Sequence, residues 1–117
     1  MPAPFIPDGY TREESIPETS AHPAVFITFR PMLSAERRRL SLQAVRLNAR
    51  GAEGIDAAAR LVVAALAARL VSWDLTDATG RLLEINSETL AALGPELFER
   101  IYEAITTFAD EEVSAKN

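Results

Sequence analysis

The chain has 117 residues, 48% of them apolar and 25% charged, with no cysteine and a formal net charge of −5. That length accommodates one hydrophobic core, the composition is that of a globular domain, and the lack of cysteine excludes disulfides, thiolate metal sites and cysteine nucleophiles. The charge is unevenly divided: residues 1–29 sum to −3, 30–81 to +4 and 82–117 to −6, so a basic middle lies between acidic ends and can pair within the chain or face partners.

Residues 1–23 carry five prolines, at Pro2, Pro4, Pro7, Pro17 and Pro23. Each fixes φ and removes a donor, so an extended arm is expected rather than a helix or a central strand. Phe5, Ile6, Tyr10 and Ile16 are scattered apolar residues that would let such an arm lie across its own domain or dock on another subunit; a loosely held tail is the alternative reading. Its opening residues show neither the basic nor the apolar region of a secretory leader, so a cytoplasmic protein is expected. The only histidine, His22, lies here; with no other nitrogen or sulfur donor patterned around it, a solvent-exposed loop residue is expected, not a zinc ligand.

A single domain is expected over residues 24–109. Val25-Phe26-Ile27-Thr28-Phe29 is β-branched and aromatic and stops at Pro31, which predicts a short strand with Val25, Ile27 and Phe29 on one face. Ser34 is placed to cap a helix with Glu36 in its first turn, running to about Arg50 before Gly51. Leu40, Ala44 and Leu47 form its apolar stripe. Arg37, Arg38 and Arg39 spread over about 200° of the circumference, so they do not face one groove together. Nucleic-acid binding wants a positive overall field; this chain is acidic, and an acidic protein patch, its own C-terminal helix included, suits those arginines better.

Ile55 to about Val71 is the strongest helical signal, apolar on nearly every face. Such a helix is central to a fold or covered by a partner, which favours self-association. Its most apolar stretch, Leu61 to Ala68, falls far short of the ~20 residues needed to span a bilayer. Alternation from Ser72 to Asp77, a turn at Ala78-Thr79-Gly80, and Leu83-Glu84-Ile85 predict a β-hairpin with Trp73, Leu75, Leu83 and Ile85 on its inner face. That hairpin must pack on a helix or join the 25–29 strand. Asn86 or Ser87 caps a short helix ended by Gly94, and Pro95 opens a last helix with apolar Leu97, Phe98, Ile101, Ile105 and Phe108. Residues 110–117 form an acidic tail. The expected fold is thus α+β and mainly helical, with about four helices, a short N-terminal strand and a small β-hairpin.

Chemistry is sparse. Asp74 and Asp77 sit in a turn, Asp110, Glu111 and Glu112 in the tail, and neither group converges as catalytic or metal-binding carboxylates must. No nucleotide-cradling glycine loop or nucleophile elbow occurs. The expectation is a protein without catalytic residues, metal or cofactor, acting by binding other proteins.

One pattern adds to this. Trp73, Leu75, Asp77, Gly80, Ile85, Ser87 and Leu90 follow the spacing W-x-L-x-D-x-x-G-x-x-x-x-(I/V)-x-(S/T)-x-x-L, after a strand, an arginine-rich helix and an alanine-rich helix. Over about residues 24–108 the chain resembles the small tail assembly chaperones of long-tailed phages. The resemblance implies a predominantly helical, oligomerising protein that binds the tape measure protein and recruits tail tube subunits, keeping both from aggregating before they polymerise. The proline-rich arm departs from that family and fits a structural tail or connector subunit retained in the virion; a small DNA-binding regulator is a third alternative. For a protein-holding role the expected contact residues are Leu61, Leu66, Leu70, Trp73 and Phe108, with Arg37, Arg38 and Arg39 as the charged cluster; burial in the chain's own core is the alternative for each apolar one.

Overall fold

The computed structural model describes residues 11–107. The element order is β1 (Arg12–Ile16), β2 (Val25–Phe29), α1 (Ser34–Asn48), α2 (Ala52–Arg69), β3 (Leu70–Trp73), α3 (Ser87–Ala92) and α4 (Pro95–Thr106). It is a small α+β fold of four helices with a three-stranded antiparallel sheet in the order β1-β2-β3. No helix of the described residues is long and apolar enough to cross a membrane.

β2 is the central strand because its sequence supplies an inner face. Val25, Ile27 and Phe29 are buried while Phe26 is exposed, the alternation that a one-sided sheet demands. β1 pairs with it from Arg12↔Phe29 to Ile16↔Val25. Part of the expected arm is therefore an edge strand of the domain, anchored by the buried Ile16. The charges of Arg12, Glu13 and Glu14 suit an edge, where they discourage further strand addition.

His22, in the β1–β2 connection, corrects the expectation of an exposed loop residue. It is 7% exposed, with Nδ1 2.8 Å from the Pro23 carbonyl oxygen and Nε2 without a hydrogen-bond partner among the described residues.

Two helix starts also differ from the sequence reading. Leu33, not Ser34, is the N-cap of α1; the Glu36 carboxylate reaches back and accepts the Leu33 N–H at 3.1 Å. α2 begins at Ala52, three residues early, because Gly51 takes φ 87° as its N-cap, a left-handed conformation that costs glycine little. Gly54 then lies inside the first turn, buried, where a Cβ would overlap the Leu47 carbonyl oxygen.

α2 passes into β3 without a loop. Arg30 N–H donates to the Arg69 carbonyl at 2.8 Å, and Leu70 and Trp73 pair with Phe29 and Ile27 across a β-bulge. The helix therefore stops before Val71, whose backbone is claimed by the sheet. The expected hairpin is anchored as the pattern required: its first strand is β3, and it returns through a Thr76↔Leu82 bridge with Leu83 N–H donating to the Leu75 carbonyl at 2.8 Å. Trp73 Nε1–H donates to the Leu83 carbonyl at 2.9 Å, giving a buried indole the partner it needs.

The core joins the inner sheet face to α4. Leu97, Ile101 and Ile105 recur every four residues and are almost wholly buried, and they cluster with Ile27, Phe29, Leu66, Leu70, Trp73 and Leu90. α3 is closed at its start by the Asn86 side chain, which accepts the Thr89 N–H at 2.8 Å.

Candidate protein-binding surface

α1 packs mainly on α2, and the core takes only Leu40 from the first helix and Leu66 from the second. Between Leu40 and Leu61 the only buried apolar side chain is Ala58, and no residue there joins the main apolar cluster or packs against it. The far end of the α1–α2 hairpin, residues 41–60, thus stands off the body of the domain, held by contacts between the two helices. Those contacts use Leu40, Ala44 and Leu47 on α1, all buried or half-buried, as the spacing predicts.

The opposite face of α1 is apolar as well. Leu42 is 51% exposed and Val45 64%, and Ala35 and Ala49 are exposed on the same side. Ile55, 56% exposed, adds apolar surface on α2. Apolar residues on two faces leave α1 with weak amphipathicity, which is why the single stripe at Leu40 conceals the second. The signal was present as the i, i+3 pair of Leu42 and Val45.

The expected contact residues divide three ways. Leu66 is 0% exposed, and Leu70 and Trp73 are nearly as buried; these three are corrected to core residues, since the sheet, α3 and α4 cover the helix end that a partner was expected to cover. The apolar excess of α2 is largely absorbed by its own chain around Leu66, while Ile55 near its start stays exposed. Leu61 is half-buried and lines an open groove between α1 and α2 with Arg39, Leu40 and Ala65. Phe108 lies outside the described residues.

The arginines also separate. Arg37 is half-buried, and its Nη1 donates to the Thr106 carbonyl at 3.1 Å, so it serves the negative end of α4. The C-terminal helix does take one of the three, through the carbonyl of its last residue. Arg69, another cation of the hairpin, forms an ion pair with Glu36. Arg38 and Arg39 are exposed, as are Arg46 and Arg50, and no carboxylate of the described residues forms an ion pair with them. Arg38 and Arg46 therefore share the outer side of α1 with Leu42 and Val45, and Arg39 stands on its flank, at the edge of the groove with α2.

Among the described residues no group of three His, Asp or Glu side chains could hold a metal ion. Asp77 is taken up by its own turn: its carboxylate accepts from Thr79 Oγ1 at 2.6 Å, Thr79 N–H at 2.8 Å and Arg81 N–H at 3.1 Å. The Thr79 hydroxyl, then the backbone donors, hold its pKa below the ordinary aspartate value. No protein-family model, curated protein or solved structure matches this chain.

Proposed function

We propose that this chain is a non-enzymatic assembly chaperone or adaptor, and that it holds phage tail proteins, the tape measure and tube subunits, in the host cytoplasm before they polymerise. The observation that carries the binding role is the α1–α2 hairpin, which extends beyond the core with Leu42, Val45 and Ile55 in solvent. Scattered exposed apolar residues are ordinary; apolar residues aligned on a protruding helix beside exposed arginines are the composition of a docking face. The phage assignment rests on the resemblance that runs from Trp73 to Leu90.

The test is co-expression with a candidate tape measure protein and tube subunit. The expected result is that they stay soluble and co-purify with it, and that purified particles lack it. Failure of both solubility and co-purification would sink the proposal. Stoichiometric presence in the particle would replace it with the structural-subunit reading.

A further inference from the structure

The outer face of α1 has a finer order than a patch. Ala35, Arg38, Leu42, Val45 and Ala49, the last being the C-cap of α1, are separated by three, four, three and four residues, the a and d positions of two successive heptads and the a position that follows them. All five are exposed, and the stripe lies directly opposite Leu40, Ala44 and Leu47, which face α2. It is about 21 Å long at the helical rise of about 1.5 Å per residue.

The flanks of this stripe are asymmetric. On one side the e positions are Arg39 and Arg46; on the other the g positions are Ser34, Ser41 and Asn48. Inside the stripe, Arg38 takes a d position, where a guanidinium enclosed by a partner needs a carboxylate beside it.

From this pattern we infer that the outer face of α1 is a coiled-coil half-site for an amphipathic helix of another protein, one with carboxylates flanking its apolar seam. This rests on the adaptor reading and names its partner by chemistry. A second copy of the chain fits poorly. Antiparallel pairing sets e against e, arginine against arginine, and parallel pairing sets Arg39 against Ser34 and Arg46 against Ser41, which offer no compensating charge. An acidic helix answers the three exposed arginines and covers Leu42 and Val45 together. Ion pairs at the flanks select the partner while the apolar seam supplies the burial.

The probe is a three-heptad synthetic peptide with Leu at a and d and Glu at e and g, titrated against the full chain by fluorescence anisotropy. A control peptide carries Lys in place of Glu. The Glu peptide is expected to bind at least about tenfold more tightly than the Lys peptide, with the gap closing as salt screens the flanking pairs. Leu42→Glu with Val45→Glu removes binding while leaving the melting temperature unchanged, because both side chains are exposed. Arg39→Glu with Arg46→Glu, which leaves the apolar seam intact, inverts the preference between the peptides. Equal binding of both peptides, binding unaffected by the Leu42 and Val45 changes, or a self-association of the wild-type chain that those changes dissolve would each overturn the inference. Peptide failure with tail proteins still co-purifying removes the seam and leaves the adaptor; peptide binding without co-purification keeps the seam and removes the tail proteins as its occupants.

Discussion

Leu66 and Leu42 are the same side chain in opposite circumstances. Leu66 is wholly enclosed, whereas half of Leu42 faces solvent. Truncating the first removes buried methyl groups and leaves a cavity, so Leu66→Ala is expected to cost about 2–5 kcal/mol in chemical denaturation. Leu42→Ala is expected to change stability by no more than about 0.5 kcal/mol; equal costs at the two sites would contradict their placement. Asp77 gives a pH-dependent counterpart. Its folded-state pKa lies below the unfolded value because the Thr79 hydroxyl, with the backbone donors, favours the ionised form. The turn therefore has its full stabilisation above the ordinary aspartate value, about 3.9, and loses it as pH falls through the lower folded-state value. A carbon-13 titration of the Asp77 carboxyl should show that lowered midpoint, and Thr79→Val should move it up toward the ordinary value. An unchanged midpoint in that variant would show that the hydroxyl is not the cause.

At the scale of elements, legibility followed how local the determining interactions are. β2 and α4 were readable because alternation at Val25, Ile27 and Phe29 and four-residue spacing at Leu97, Ile101 and Ile105 state their own buried faces. β1 was not. Arg12-Glu13-Glu14-Ser15 is polar and stands among prolines, and its strand conformation comes from pairing with β2, a tertiary interaction. Of the candidate surface, Arg38 and Arg39 were legible as exposed cations, but Leu42 and Val45 were hidden behind the stronger inward stripe at Leu40. Gly54 shows the same dependence on a neighbour: in sequence it reads as a loop glycine, yet it lies in α2 because α1 approaches too closely for a side chain. In an isolated helix Gly→Ala is favourable by about 0.8–1 kcal/mol. Here the added methyl meets the Leu47 carbonyl and Arg50 Cβ, the latter at 2.8 Å, and backbone cannot yield as a flexible side chain would. Gly54→Ala is therefore expected to lower stability, by about 1–3 kcal/mol as overpacking does, with the loss read as a lower melting temperature. A gain in stability would mean that the helices can part at no cost and that their close approach is not required.

Across the whole molecule, the core and the candidate surface occupy different parts of one chain. The sheet, α4 and the Leu66 end of α2 share a single apolar cluster, whereas residues 41–60 contribute nothing to it. An element held by one neighbour opens at less cost than one held on several sides, because fewer buried contacts are lost when it separates. Amides of α1 and α2 between Val45 and Ala58 are accordingly expected to exchange with solvent through local opening, at lower free energy than those of β2 and α4, which should exchange only through global unfolding. Native-state hydrogen exchange at low denaturant concentration distinguishes the two, since local opening exposes little surface and is nearly independent of denaturant. Addition of an acidic helix that seats on Leu42 and Val45 should raise protection along α1 and leave β2 unchanged. Uniform protection across hairpin and core would mean that the projecting end is braced as firmly as the body. The hairpin would then be a fixed ledge rather than an arm that settles around what it holds.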